Sequence, residues 1–77
     1  MIIIRRDITG KKFYMGNRVF MYGIKNRMLI EYLPLDGLIR CDLDKNEKYC
    51  FILIYVKPLN EHEQETCKLD YLGEQII

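Results

Sequence analysis

The chain has 77 residues and a formal net charge of +1, with 49% hydrophobic and 30% charged residues. This composition is typical of a globular chain rather than a disordered one, and this length predicts one domain over residues 1–77. The longest apolar run, from Tyr49 to Val56, has eight residues and is too short to cross a bilayer.

Turn-forming residues divide the first 56 residues into short apolar segments. Segments rich in Ile, Val, Tyr, Phe and Leu between Gly, Asn, Asp and Pro are typical of β-strands. We predict strands over residues 2–6, 12–15, 18–22, 28–33, 38–43 and 49–56. No gap between them holds a helical crossover, so the pairing should be mostly antiparallel. Gly16-Asn17 is a candidate hairpin turn, and Pro34-Leu35-Asp36-Gly37 is a second turn.

The pattern changes after Lys57-Pro58, which ends the sixth predicted strand. Asn60 followed by Glu63 has the spacing of a helix N-cap and predicts a short helix over residues 61–72. The alternation of Cys67, Leu69 and Tyr71 with polar residues favours a strand instead over part of this range. The expected fold class is mostly β (α+β), a small antiparallel sheet or partly closed barrel of five to six strands with one short C-terminal helix.

The segment from Tyr49 to Val56 does not alternate between apolar and polar residues. A strand with one wet face shows polar residues at every second position, so both faces of this strand should be buried. The short helix can cover one face of the sheet. We expect barrel closure, a second copy of the chain or another protein to cover the other face.

The basic residues are concentrated near the start of the chain. Residues 1–27 contain seven Lys or Arg residues and one acid, Asp7. A basic sheet face with interleaved aromatics can bind nucleic acid, although the sequence pI of about 7.7 is lower than nucleic-acid-binding domains usually show. The candidate residues for this alternative are Arg5, Arg6, Lys11, Lys12 and Arg18.

Few residues suit catalysis or metal binding. The chain has no Ser and a single His, His62, whose spacing to Cys67 is poor for a catalytic pair on a helix. The three cysteines, Cys41, Cys50 and Cys67, lack the close pairing of a structural zinc site. Asp42 and Asp44 lack the rhythm of a calcium loop. We therefore predict a protein that is not an enzyme and uses neither a cofactor nor a metal ion.

Cysteine usage and composition bear on location and origin. An odd number of cysteines without a secretory signal favours reduced thiols in a cytoplasmic protein. The chain has no Ala and eleven Ile residues, which is typical of AT-rich genes such as those of low-GC bacteria, their phages and mobile elements.

Three segments resemble the carbon storage regulator family: Met1 to Arg6, Met15-Gly16-Asn17, and Pro34 to Arg40. That family is a strand-swapped homodimer that binds single-stranded RNA. The first strand of that family ends in an Arg where Arg6 stands here, and a second Arg follows its Pro-x-Asp turn near the position of Arg40. This chain departs from the family pattern at Arg5, which replaces a small polar residue, at Arg40, which falls about one position early, and at the apolar run 49–56, where the family has an amphipathic helix.

The preferred hypothesis is a non-enzymatic protein-binding module, such as a phage or mobile-element inhibitor that docks on a host protein, with a possible second copy of itself as partner. Aromatic and arginine side chains contribute most to interface energy. The candidate contacts are Tyr14, Arg18, Tyr22, Arg27 and Tyr32. The alternative is a homodimeric β domain that binds single-stranded RNA.

Overall fold

The computed structural model describes residues 3–15 and 18–76, and for Ile3, Tyr14 and Met15 it describes the backbone alone. The predicted hairpin turn at Gly16-Asn17 lies outside these residues. The described ranges form six strands, one 3₁₀ helix and one α-helix. In chain order these are β1 (Ile3–Arg6), β2 (Lys12–Met15), β3 (Arg18–Ile24), the 3₁₀ helix (Arg27–Tyr32), β4 (Leu38–Asp42), β5 (Phe51–Tyr55), α1 (Glu61–Thr66) and β6 (Leu69–Ile76).

The strands form two antiparallel sheets. β1 and β2 make a two-stranded hairpin, and the other four strands form a sheet in the order β4-β5-β3-β6. The predicted fold class is confirmed, and the sheet does not close into a barrel because β4 and β6 remain separate edges. The register shifts past Ile39 in β4 and past Leu72 in β6. Such bulges make both edges poor templates for strand addition.

The core lies on one face of the four-stranded sheet. Tyr22 of β3 and Tyr55 of β5 are fully buried there, with ring centroids 5.8 Å apart and an edge-to-face angle of 81°. The Tyr22 hydroxyl accepts a hydrogen bond from the Leu59 amide at 2.9 Å, and the Tyr55 hydroxyl donates to the Pro34 carbonyl at 2.7 Å. The other buried members of this core are Ile24, Leu33, Leu38, Leu53, Leu59, Cys67 and Leu69.

The strand predicted over residues 28–33 is wrong, because this segment is the 3₁₀ helix. The Asn26 side chain accepts a hydrogen bond from the Met28 amide at 3.0 Å and starts the helix. The Leu33 amide donates to the Ile30 carbonyl at its end. Leu29 and Ile30 pack against the core as adjacent residues, which a helical turn permits and an alternating strand does not.

The helix predicted over residues 61–72 begins correctly and ends too late. Asn60 forms a capping box with Glu63, as the sequence predicts. The helix ends at Thr66, and Lys68 then takes a positive φ of 51°. The remaining residues form β6, in which Leu69 is buried opposite Ile24. The alternating pattern at residues 67–71 therefore predicted the structure of this part correctly, and the helical spacing did not.

The apolar segment 49–56 supplies the interior strand β5, which pairs with both β3 and β4. Leu53 and Tyr55 are fully buried on the core face, whereas Ile52 and Ile54 are half-buried on the second face of the sheet. Tyr49, just before β5, folds over one end of that second face. Tyr49 of the same chain thus covers part of the sheet face that we expected a partner to cover.

Candidate functional site

The 3₁₀ helix carries Met28, the most exposed of the large hydrophobic side chains in the described residues. Leu29 and Ile30 pack against the core, and other side chains of the same segment are exposed. Met28 is 83% exposed, Tyr32 is 59% exposed, and Leu35, three residues beyond, is 50% exposed. We call Met28, Tyr32 and Leu35 the apolar ridge. Because the buried side of the segment anchors its backbone, these side chains project from a fixed support.

Charged residues flank the apolar ridge. Arg27 begins the 3₁₀ helix and is exposed, and Glu31 lies within the same helix. Arg27 belongs to none of the ion pairs found among residues 3–15 and 18–76. Met, Tyr and Arg are enriched in protein interfaces, where they combine apolar area with a polar end. This combination of residues suits contact with another protein.

The predicted partner-binding residues separate into different environments. Arg27 and Tyr32 are the first and last residues of the 3₁₀ helix, whereas Arg18 lies in β3 and pairs with Glu74 of β6 at 3.2 Å. Tyr22 is wrong as a contact residue, because it is 1% exposed and supports the core. The side chain of Tyr14 lies outside the described part of the chain.

Sequence reasoning missed Met28 and Leu35. Both were assigned to predicted strand and turn segments, where an exposed apolar side chain is unremarkable. The signal that could have found them is the spacing of apolar residues 28, 29, 30, 32, 33 and 35, which exceeds what one buried strand face can accommodate.

The hairpin of β1 and β2 carries most of the predicted nucleic-acid residues. We call residues 3–15 the basic ribbon. Arg5 and Arg6 lie in β1, Lys12 begins β2, and Lys11 precedes it; all four are exposed. Arg18 begins β3 in the larger sheet and is not part of the ribbon.

Asp7 fastens the ribbon to the larger sheet. Its carboxylate accepts hydrogen bonds from the amides of Thr9, Lys11 and Gly37, each at 2.9 Å, and from the Thr9 hydroxyl. Burial alone would raise the pKa of Asp7, but these hydrogen bonds, led by that from the Gly37 amide, lower it to about 2. The Ile8 amide also donates to the Leu38 carbonyl at 2.9 Å. The hairpin turn is thus held at the start of β4.

Lys residues extend this attachment. Asp36 binds Lys11 at 3.0 Å and Lys57 at 2.6 Å. The hydrogen bond from Lys57, followed by that from Lys11, lowers the pKa of Asp36. The charge of Lys11 is therefore used within the fold, whereas Arg5, Arg6 and Lys12 form none of the ion pairs observed in the described ranges.

A groove of about 370 Å³ lies on the second face of the sheet. It has an apolar floor and a polar rim, and its lining residues are Met21, Asp44, Asn46, Lys48, Tyr49, Ile52 and Leu72. The Asp44 carboxylate accepts hydrogen bonds from the amides of Asn46, Lys48 and Tyr49, which close the rim loop. No buried side-chain nitrogen or oxygen in residues 3–15 and 18–76 lacks a hydrogen-bond partner.

The cysteines and His62 differ in exposure. Cys67 is buried, its thiol donates to the Leu29 carbonyl at 3.7 Å, and burial raises its pKa. A thiol with a raised pKa is a poor nucleophile at neutral pH. His62 is exposed on α1. The part of the chain that the structure describes contains no group of three or more His, Cys, Asp or Glu side chains that could hold a metal ion.

The described helices are all too short or too polar to span a membrane. The fold and its surfaces define a small, mostly β domain with an exposed apolar ridge and a separate basic ribbon. Comparisons with protein-family models, with curated proteins and with solved structures found no match.

Proposed function

We propose that this chain is a non-enzymatic protein-binding module that docks on another protein through the apolar ridge and Arg27. The observation that carries the proposal is the exposure of Met28, Tyr32 and Leu35 on a backbone segment that the core holds in place. Full burial of an apolar side chain of this size contributes about 1.5–3 kcal/mol. Three such side chains are enough to anchor an interface.

The side chains of the ridge indicate which groups the partner surface should contain. An apolar cleft would receive Tyr32 and Met28, and a carboxylate beside that cleft would pair with Arg27. A standard interface buries about 800 Å² on each partner, so polar residues around the ridge must complete the contact. Because Leu29, Ile30 and Leu33 hold the backbone of this segment on the core, less backbone entropy is lost on binding.

A small domain that binds in this way can inhibit a protein without catalysis, by occupying a surface that the protein needs. The AT-rich character of the sequence supports an origin in a phage or mobile element, with a host protein as the target. The bulges in β4 and β6 make strand addition a poorer route to the partner than the ridge.

Affinity capture tests the proposal when it compares matched variants. The bait proteins are the wild type, Met28→Ser/Tyr32→Ser, and the control Leu43→Ser/Ile76→Ser, which removes exposed apolar side chains elsewhere. In a lysate of the host cells, we expect the wild type and the control to retain a protein that the ridge variant retains roughly tenfold less. Equal retention by all three baits would contradict the proposal.

A further inference from the structure

The basic ribbon has an uneven charge that the fold does not balance. Residues 3–15 contain four basic side chains and one acid, Asp7. The Asp7 carboxylate is buried and already accepts four hydrogen bonds. Lys11 is paired with Asp36. Three cationic side chains, those of Arg5, Arg6 and Lys12, therefore remain available to an external anion within the described structure.

Two of these cations face each other across the hairpin. Arg6 of β1 and Lys12 of β2 are direct partners in the antiparallel register. Directly opposed side chains lie on the same face of a hairpin, and like charges in this position are destabilising. An anion placed between them would remove the repulsion. We therefore expect the two cations to be more stable with a phosphate bound between them than in the free protein.

Phe13 in the ribbon is poorly placed to stack a base. Phe13 is half-buried, and the Lys11 ammonium group lies 5.1 Å from the centre of its ring. This is the one aromatic side chain that the structure describes in the ribbon. Binding of single strands depends on aromatic faces that are free to stack bases. Among the described side chains of the ribbon, the exposed cations therefore suit phosphate contacts better than Phe13 suits base stacking.

We propose that the basic ribbon binds the phosphate backbone of duplex DNA through Arg6 and Lys12, which share one face of the hairpin. Arg5 precedes Arg6 in β1 and therefore points to the other face. A two-stranded β-ribbon fits the major groove, which is about 12 Å wide. The attachment of Asp7 to the Gly37 amide holds the ribbon in a fixed orientation on the larger sheet. This activity uses none of the ridge residues and is independent of protein docking.

Salt dependence measures the number of phosphates that the ribbon contacts. Each neutralised phosphate contributes about −0.9 to the slope of log affinity against log salt. Two contacts predict a slope of about −1.8, which corresponds to a roughly 12-fold loss of affinity between about 50 and 200 mM salt. Fluorescence anisotropy of a labelled random-sequence DNA duplex gives this slope directly.

Charge-matched variants locate the contact. Arg6→Gln/Lys12→Gln should reduce the slope to nearly zero, whereas Lys45→Gln/Lys68→Gln, with the same change in net charge, should keep the wild-type slope. Amide shifts of the wild-type protein during a DNA titration should be largest in β1 and β2, which tests the site without any substitution.

Three results would overturn the inference. The first is an absence of duplex binding at about 50 mM salt, where phosphate contacts are strong. The second is an equal effect of the two double variants. The third is binding to a single strand of the same sequence, or to polyglutamate, that is as tight as binding to the duplex.

Discussion

The ring of Tyr49 lies against the backbone of Gly23, in space that any other residue at position 23 would need. A Cβ atom at Gly23 would fall 2.6–2.7 Å from three carbon atoms of that ring. The Tyr49 hydroxyl continues across the sheet and donates to Asp70 at 2.9 Å. This hydrogen bond raises the pKa of Tyr49. One aromatic side chain from the loop before β5 therefore covers the end of β3 and reaches β6.

Gly23→Ala should destabilise the protein by about 1–3 kcal/mol, because the added methyl group displaces the Tyr49 ring. Chemical denaturation measures this change. In a Tyr49→Ala background the ring is gone, and Gly23→Ala should become neutral or stabilising by about 0.5–1 kcal/mol, since Gly weakens a strand interior. If Gly23→Ala lowers the unfolding free energy equally in both backgrounds, Gly23 is not required to make room for the Tyr49 ring.

Tyr22→Phe should remove the acceptor of the Leu59 amide and leave a buried N–H group unpaired. The expected cost is about 1–3 kcal/mol of unfolding free energy, measured in urea. Capture of a protein partner should be unchanged at temperatures where the variant is folded, because Tyr22 is a core residue. Loss of capture by a folded Tyr22→Phe protein would contradict this assignment.

Asp7 should make the unfolding free energy depend on pH in the acidic range. Its pKa is lowered to about 2 in the folded protein from an ordinary value of 3.8. A lowered folded-state pKa stabilises the protein fully above the ordinary value, and this stabilisation is lost as the pH falls toward 2. The difference in unfolding free energy between wild type and Asp7→Asn should be largest near neutral pH and shrink below pH 4. Asp42→Asn, which removes an exposed ion pair with Arg40, is the control. A difference that does not change with pH would exclude this role for the carboxylate.

Lys12→Glu should have opposite effects on stability and on DNA binding. It converts the repulsive pair with Arg6 into an attractive one, so the midpoint of thermal unfolding should rise slightly. The same change should greatly weaken duplex binding, because it replaces a cation by an anion in the ribbon. A fall in the unfolding temperature would contradict the inferred repulsion.

Local patterns in the sequence predicted much of the fold. The apolar run that became β5 and the capping residues Asn60 and Glu63 have direct physical consequences, and both took the predicted structure. The strand prediction for residues 28–33 was wrong. The composition of this segment suits a strand, but the Asn26 cap and the packing of Leu29 and Ile30 favour a 3₁₀ helix. Tertiary contacts determine whether this segment forms a strand or a 3₁₀ helix, and they cannot be inferred from its composition.

The candidate site was harder to predict than the fold. The charge of the ribbon is visible in the sequence, but the opposition of Arg6 and Lys12 depends on the hairpin register. Tyr22 and Tyr32 are equivalent as residue types, and only the packing makes one a core residue and the other an exposed one. The role of Tyr49 in covering the second face also needs Gly23, which is distant in the sequence.

Site-specific photo-crosslinking tests the docking surface most directly. A benzophenone amino acid at Met28, with the same group at Lys45 as control, is exposed to light in a host lysate. We expect a crosslinked protein from position 28 that is absent from position 45. Identical products from both positions, or a product at position 28 with the mass of two copies of this chain, would contradict docking of another protein on the apolar ridge.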